Sequence, residues 1–328
     1  MLRLFGPGCP TEPVDPAKVT SLPKGAVWID LLDPTDAEEA LAEKVLGANI
    51  PTREELAEIE PSSRLYQTKN AAFMTMSVLH GVKAGEPANN PVGFILTDNL
   101  LITVRYIDPT PFVLFADHIY AEPDLDWNAR SMFVRLLDTI IDRLADEFEV
   151  AVNEIETISR HVFGHPPKAG GHRRRQPERR LEALLLRIGK AQQLLAQLRE
   201  SSVSATRLLT FLKSTNAMVN DKPNLRHVGS LIADADALND HSNFLGDNLV
   251  FLLDANLGLI TLEQNFVMKI FSIFAVVFMP PTLIAGIYGM NFDHMPELKW
   301  LLGYPYALGL ILISAVLPFL NARRKGWL

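Results

Sequence analysis

The chain has 328 residues, of which 48% are hydrophobic and 21% charged, and its formal net charge is −7. This length allows two domains and a sizeable core, whereas the acidic balance argues against general nucleic-acid binding, which needs a basic surface. The single cysteine, Cys9, excludes an internal disulfide and a zinc site built on thiolates. Because the first residues contain no long apolar run, no cleaved signal peptide is expected, and most of the chain is expected in the cytoplasm.

Residues 1–120 are predicted to form a cytoplasmic α/β domain. An apolar strand over 26–32 is followed by turn and helix-start signals and by a helix that ends near Gly47. Thr52, with Glu55 three residues later, forms a capping box that starts a second short helix. These signals favour an α/β fold for this part of the chain.

Three further strands are predicted in the same domain, over 71–79, 92–97 and 100–106. The pair Asp98-Asn99 between the last two is typical of a tight hairpin turn. The sequence contains no glycine-rich phosphate loop, no His-Glu-x-x-His motif and no Ser/His/Asp signature. An enzymatic function is therefore not expected.

The pattern then changes to long helices, and residues 121–265 are predicted to form a cytoplasmic long-helix and stalk region. Apolar residues recur at helical spacing from Leu136 to Ile155, and a second long helix is predicted over 178–212. The segment between these helices contains the basic run Arg173–Arg175. This run is either a solvated loop or a contact for an anionic lipid or a nucleotide.

A third long helix is predicted to begin near Pro223, and no helix breaker follows before Pro280. A helix from there to residue 288 is roughly 100 Å long, so it must extend beyond a compact domain. Leucines recur along it at every seventh position and predict that this face packs against other helices. These positions are Leu231, Leu238, Leu245, Leu252 and Leu259, continued by Phe266 and Ile273.

Two segments near the end are predicted to cross a membrane. Residues 266–288 contain one charge, Lys269, and residues 301–320 contain none, and each segment is long enough to span about 30 Å of hydrocarbon. The basic tail, 321–328, favours a cytoplasmic C-terminus by the positive-inside rule. Two spans place the N-terminal domain on the same side and the loop 289–300 on the outer, periplasmic side.

The first membrane segment carries a stripe of small, polar and flexible residues on the face opposite the leucines. The stripe consists of Asp254, Gly258, Thr261, Asn265, Met268, Ser272, Ala275, Met279, Thr282 and Gly286. Small residues in a membrane favour close helix–helix contact, and a polar stripe also suits the wall of a pore. The pore interpretation requires a ring of identical subunits, because one helix cannot enclose a channel.

At the end of this stripe the sequence resembles the CorA family of magnesium channels. The residues that carry the resemblance are Tyr288-Gly289-Met290-Asn291-Phe292, Met295-Pro296-Glu297-Leu298-Lys299-Trp300, Pro280-Pro281, Gly303-Tyr304-Pro305 and the closing Lys325-Gly326-Trp327-Leu328. The triplet Gly-Met-Asn is weak by itself, but between two apolar spans and before this loop it is a specific signal. The resemblance is dense over residues 250–328 and looser before them.

The resemblance implies a CorA-like homopentameric funnel, with an α/β cytoplasmic domain, long stalk helices and two C-terminal transmembrane helices. It implies a divalent cation channel of the inner membrane that admits Mg²⁺, and also Co²⁺ or Ni²⁺, down the electrochemical gradient. Intracellular Mg²⁺ would gate the channel. No cofactor is implied beyond Mg²⁺ as the transported and regulatory ion.

Pore positions are carried over from the family residue by residue. Asn291 would form the ring that meets the incoming ion at the outer mouth, and Gly289 and Met290 would shape its turn. The family places an apolar pore residue near Phe271, whereas the stripe runs through Ser272, and both alternatives stay open. The remaining positions are the polar residues Asp254, Asn265 and Thr282 and the apolar gate residues Met268 and Met279.

Magnesium chemistry agrees with an amide ring at the mouth, because Mg²⁺ is small and gives up its water reluctantly. Amide oxygens of Asn291 can bind the hydrated ion weakly enough to release it. Glu297 and Asp293 in the outer loop can raise the local cation concentration electrostatically. For Glu297 the alternative is an ordinary solvated loop charge. The membrane potential supplies about 2.3 kcal/mol per charge per 100 mV, so no ATP site is needed.

A regulatory cation site is expected in the acidic stretch 221–254, which contains six aspartates. Clustered like charges between packed subunits repel one another unless a cation bridges them. Asp234, Asp236 and Asp240 are the candidates within this stretch. The alternative is an ordinary solvated helix face.

Two other functions remain open from the sequence. The chain can belong to a zinc-transporting branch of the same superfamily, although relatives of that kind tend to depart from Met-Pro-Glu-Leu in the outer loop. It can also be a membrane-anchored cytoplasmic sensor or scaffold without ion flux, if the small-residue stripe is a dimer contact.

Overall fold

The computed structural model describes residues 1–10, 12–16, 22–58, 60–121, 126–164, 177–291 and 295–325, without the side chains of residues 61, 62, 177–179, 297 and 298. The described residues form two compact units. The first unit contains residues 1–164 and 183–253, and the second contains residues 177–182 and 254–325, within those ranges. The basic run Arg173–Arg175 lies outside the described residues, so its role stays a prediction.

The strands of the first unit are β1 Leu2–Phe5, β2 Trp28–Leu32, β3 Leu65–Gln67, β4 Ala71–His80, β5 Ala88–Thr97 and β6 Leu101–Arg105. Within the described ranges they form one six-stranded sheet in the order β1-β2-β6-β5-β4-β3. β2 and β6 are parallel, and every other neighbouring pair is antiparallel. β5 begins at Ala88, earlier than the sequence predicts, because it pairs with β4 along its whole length.

The helices are α1 Asp36–Leu46, α2 Arg53–Leu56, α3 Pro61–Arg64, α4 Thr110–His118, α5 Ala129–Phe163, α6 Pro177–Ser214, α7 Asn216–Val219, α8 Lys222–Tyr288 and α9 Gly303–Arg324. The predicted end of α1 and the predicted start of α2 are confirmed. α1 ends at Gly47, which adopts the left-handed conformation with φ of 69°. α2 has the predicted capping box of Thr52 and Glu55.

The hairpin between β5 and β6 is also confirmed. Leu96 pairs with Leu101, and the backbone N–H of Thr97 donates to the carbonyl oxygen of Leu100 at 2.9 Å. The side-chain oxygen of Thr97 bonds to both backbone groups of Leu100. Asp98 and Asn99 therefore form a two-residue turn.

Apolar side chains cover both faces of the sheet. On one face, Trp28, Phe94 and Phe133 belong to a core that includes buried residues of α5, α6 and α8. On the other face, Ile95 and Val104 pack in a smaller core with residues of α1 and α2. At about 25 cal/mol per Å² of apolar surface removed from water, burial of these faces is the main stabilising contribution to the first unit.

A charged pair lies inside the sheet. Asp30 on β2 and Arg105 on β6 are each 2% exposed, and two guanidinium nitrogens donate to the Asp30 carboxylate at 3.0 and 2.8 Å. Thr103 donates to the same carboxylate at 2.7 Å, and Asp108 accepts from Arg105 at 2.6 Å. Burial opposes the charge on Arg105, but the bonds and charges of Asp30 and Asp108 outweigh it and raise the pKa of the guanidinium.

Polar contacts attach α6 to its neighbours in the first unit. Ser201 donates to the carbonyl oxygen of Ser77 on β4 at 2.9 Å, and the backbone N–H of Ser77 donates to Ser204 at 2.9 Å. Ser202 donates to Asn239 on α8 at 2.7 Å. These bonds satisfy buried polar groups while fixing the position of α6.

Candidate ion pathway

The leucine face of α8 changes its environment along the helix. Leu231, Leu245 and Leu252 are buried in the first unit, whereas Leu259 is 36% and Phe266 61% exposed in the second. Within one chain this face is largely buried up to Leu252 and more exposed beyond it, so its packing against other helices along the whole length stays a prediction. The apolar residues after Leu259 need lipid or other chains as their surroundings.

Among the residues that the structure describes, two helices, α8 and α9, are long and apolar enough to cross a membrane. α8 continues through Pro280 and Pro281 without a break, and α9 contains Pro318. Prolines are tolerated in membrane helices when neighbouring groups compensate for the missing backbone bond. An uninterrupted α8 keeps every stripe residue on one helix and preserves the helical spacing.

All ten stripe residues are exposed in the second unit. The set is Asp254, Gly258, Thr261, Asn265, Met268, Ser272, Ala275, Met279, Thr282 and Gly286. Exposure of polar residues on a helix of this hydropathy is costly in lipid unless they face water or another protein. The stripe residues are therefore expected to contact water or further protein chains.

The hydroxyl groups of the stripe are oriented by the helix that carries them. Thr261 donates to the carbonyl oxygen four residues earlier at 3.0 Å, Ser272 does so at 2.9 Å and Thr282 at 2.7 Å. Because the hydroxyl hydrogens are used inside the helix, the oxygen lone pairs are left to accept bonds from outside it. Such a surface favours water molecules and cations over anions.

Large side chains alternate with these polar residues. Met268 is 64% and Met279 68% exposed, so rings of either residue can narrow a passage formed by several chains. Phe271 is 67% exposed and its neighbour Ser272 is exposed too. Either of these two can face such a passage, and the choice between them stays open.

The predicted outer mouth follows directly after α8. The backbone N–H groups of Gly289 and Met290 continue the helical bonding to Ala285 at 3.0 Å and to Ile287 at 3.3 Å. A Cβ at Gly289 would lie 3.1 Å from the Ala285 carbonyl oxygen, which is tight and favours glycine. Asn291 is exposed, so its amide is accessible.

Part of the outer loop is not described. Phe292 and Asp293 lie outside the described residues, and so does the side chain of Glu297, whose backbone belongs to a 3-10 turn, Pro296–Lys299. The electrostatic roles of Asp293 and Glu297 therefore stay predictions.

The inner end of the second unit has a polar residue that the sequence pattern did not single out. Asn256 is fully buried, and its side-chain nitrogen donates to the carbonyl oxygen of Leu181 on α6 at 3.3 Å. It lies off the stripe, on the face that packs against α6. The sequence around Asn256 did not predict this role, because the residue that it contacts lies 75 positions away in the chain.

The regulatory candidates lie on the part of α8 that belongs to the first unit. Asp236 accepts a bond from Thr206 at 3.2 Å, and Asp240 is exposed. Asp234 lies near Asp142 of α5, and the sequence did not predict this neighbour. Among the residues that the structure describes, no group of three or more His, Cys, Asp or Glu side chains is arranged to hold a metal ion.

Asp138, Asp142 and Asp146 are spaced four residues apart on α5 and form an acidic row along one face of the helix. The Asp142 side chain is exposed, but partial loss of contact with water raises the pKa of its carboxyl group. The like charges of Asp138, Asp146 and Asp234 raise that pKa further. The ring nitrogen Nε2 of His227 on α8 lies 3.5 Å from a carboxylate oxygen of Asp138. A protonated His227 would balance part of the negative charge at this end of the row. This row is outside the membrane segments.

The sequence matches the family described as "CorA-like Mg2+ transporter protein" over residues 23–324. The magnesium transport proteins CorA of Salmonella typhimurium and Escherichia coli are each 32% identical to it over 303 residues, which is 92% of this chain and 92% of theirs. The CorA magnesium transporter from Methanocaldococcus jannaschii has a similar structure, with a TM-score of 0.77 at 19% identity over 100% of this chain and 98% of that one. The ZntB cytoplasmic domain from Vibrio parahaemolyticus is similar in fold to a part of the chain, with a TM-score of 0.52 at 10% identity over 71% of this chain and 87% of the other. The chain therefore belongs to the CorA-like Mg2+ transporter family, with a soluble α/β domain, a long helix and two C-terminal transmembrane helices.

Proposed function

We propose that this protein admits Mg²⁺ across a membrane through a pore that the stripe of α8 lines. The observation that carries the proposal is the exposure of all ten stripe residues on one unbroken helix, which ends at Tyr288 and is followed by Gly289-Met290-Asn291. Relatives named as magnesium transport proteins, 32% identical over 92% of the chain, support Mg²⁺ as the transported ion.

The pore is formed by a ring of copies, and the family resemblance points to five. One chain leaves the stripe exposed, so further copies must complete the wall. In the ring, Asn265 and Thr282 present oxygen atoms to the ion and its water. Met268 and Met279 narrow the passage as an apolar gate, since a hydrophobic constriction can close a pore by excluding water.

The outer mouth selects the ion through a ring of Asn291 side chains. Amide oxygens contact the water shell of Mg²⁺ without removing it, because this small ion is dehydrated reluctantly. Selection by size and hydration geometry also admits Co²⁺ and Ni²⁺. Movement is inward, driven by an inside-negative potential worth about 2.3 kcal/mol per charge per 100 mV.

The orientation follows from the charge distribution. The last turn of α9 contains Arg323 and Arg324, followed by Lys325, and such clusters remain on the cytoplasmic side. Both termini are therefore cytoplasmic, and the protein is placed in the inner membrane.

Regulation by intracellular Mg²⁺ is placed at the acidic part of α8. Asp234 and Asp240 are two exposed carboxylates of this part, while Asp236 accepts a bond from Thr206. A cation bound there relieves the repulsion between carboxylates and links ion concentration to the packing of the helices.

Flux into liposomes tests the proposal. The purified protein is reconstituted and uptake of Mg²⁺, Co²⁺, Ni²⁺ and Zn²⁺ is measured with and without a pH gradient. We expect Mg²⁺ uptake that needs no pH gradient. Asn291→Ala should lower the rate of Mg²⁺ uptake on the order of tenfold. This is the effect of losing roughly 1.4 kcal/mol of stabilisation of the ion at the outer mouth. Asn153→Ala, an exposed asparagine on α5, is the control and should leave uptake unchanged.

Other results point to the alternatives. Uptake of Zn²⁺ in place of Mg²⁺, dependent on the pH gradient, would identify a zinc transporter. No flux of any cation, together with a dimeric mass in detergent, would identify a membrane-anchored sensor or scaffold. Intact Mg²⁺ uptake by Asn291→Ala would remove the role of that ring.

A further inference from the structure

A groove lies between α8 and α9 in the second unit, with a volume of about 710 Å³. Its walls include Ile273 and Val277 from α8 and Leu317 from α9. Both helices are long and apolar enough to cross a membrane, so these side chains lie where lipid chains surround the protein. Ser272 also lines the groove, and its hydroxyl already donates to the Met268 carbonyl oxygen inside α8. The rest of this wall is apolar, so an apolar chain fits it better than a polar solute does.

One end of the groove is basic. Arg324 and Lys325 line it together with Asn321, at the last turn of α9. The Arg324 side chain is exposed, and within the described residues it takes part in no ion pair. A guanidinium group matches the geometry of a phosphate and binds it through paired N–H groups. The groove thus combines an apolar length with a phosphate-binding end.

We propose that this groove binds one anionic phospholipid of the surrounding bilayer. Its phosphate contacts Arg324, and an acyl chain lies along Ile273, Val277 and Leu317. Basic pockets between membrane helices bind anionic headgroups for the same electrostatic reason. The proposal concerns lipid binding alone and does not depend on the ion that the protein transports.

Native mass spectrometry of the full-length protein in detergent tests the headgroup contact. Phosphatidylglycerol and phosphatidylcholine with identical acyl chains are titrated separately, and the bound lipid is counted. We expect the protein to retain phosphatidylglycerol preferentially. Arg324→Gln should weaken this binding about fivefold, since one cation near a membrane surface contributes roughly 1 kcal/mol. Arg323→Gln is the matched control, because Arg323 carries the same charge but does not line the groove.

A second pair of variants tests the acyl-chain contact. Val276 lines the groove and is 57% exposed, whereas Val316 of α9 is 43% exposed and lies outside its lining. Val276→Trp fills the groove and should displace the lipid, while Val316→Trp should not. Both variants keep Arg324. A loss of lipid binding in Val276→Trp alone would therefore show that the lipid occupies the groove and is not merely attracted to the basic tail.

Three results would overturn the proposal. Equal losses in Arg323→Gln and Arg324→Gln would show a diffuse attraction to the tail. Equal retention of the two lipids would show that the phosphate charge is not recognised. Full phosphatidylglycerol binding by Val276→Trp would show that the chain does not occupy the groove, for example because a neighbouring subunit covers it.

Discussion

In the first unit, Asp30 and Arg105 are buried and bond to each other inside the sheet, whereas in the second unit Asn265 and Thr282 are exposed on the surface of one helix. The first arrangement completes its polar contacts within a single chain. The second leaves polar and large apolar side chains exposed on the same helix, so its surroundings must include both water and lipid or protein. Substitutions should therefore disturb stability in the first unit and transport in the second.

The largest expected effect is on the buried pair. Arg105→Met leaves the Asp30 carboxylate buried without its cation and should lower the free energy of unfolding by about 3–5 kcal/mol. Chemical denaturation of the full-length protein in detergent measures the loss. The double variant Asp30→Leu with Arg105→Met is the control, and it should recover part of the stability because it leaves no unpaired charge. An equal loss in both variants would mean that packing rather than charge pairing dominates.

The second effect should appear in transport and leave stability unchanged. Asn265→Leu removes an exposed amide from the stripe and should lower Mg²⁺ uptake by liposomes on the order of tenfold. Gln264→Leu, the adjacent exposed amide, lies off the stripe and is the matched control. Similar losses in both variants would contradict the assignment of the stripe as the pore wall. A drop in the denaturation midpoint of Asn265→Leu alone would instead indicate a structural role.

The smallest effect concerns the exposed residue Asp142, whose pKa is raised by partial desolvation and by neighbouring carboxylates. The folded protein holds the proton of this group more tightly than the unfolded chain does. Ionised Asp142 therefore destabilises the fold at neutral pH, and this cost disappears as the pH falls below the ordinary value of 3.8. Asp142→Asn should raise stability near pH 7 by about a few tenths of a kcal/mol, because solvent screens exposed charges.

Thermal unfolding of the full-length protein across this pH range measures the gain. Glu149→Gln, an exposed acid on the same helix, is the control and should show a smaller gain. A gain for Asp142→Asn that persists at acid pH would show that the charge is not its cause. If added Mg²⁺ removed the stability gain of Asp142→Asn near neutral pH, the result would indicate that these carboxylates share a bound cation.

Local signals in the sequence predicted several elements correctly. The capping box of Thr52 and Glu55 and the turn at Asp98-Asn99 each depend on residues a few positions apart. The sequence did not predict β1, β3 or α4. β1 is a strand of four residues that is held by pairing with β2, and β3 has three residues paired with β4. Such short strands form because of a partner elsewhere in the chain, so their own pattern is weak.

The sequence by itself determined the membrane helices, the stripe of α8 and the family resemblance, because hydropathy and helical spacing act over neighbouring residues. Only the tertiary structure decided that Asp30 pairs with Arg105, 75 residues away, and that Asp142 of α5 lies near Asp234 of α8. It also showed that the leucine face is largely buried up to Leu252 and exposed at Leu259 and Phe266. These contacts depend on which distant elements pack together, and burial and charge pairing are properties of that packing rather than of local spacing.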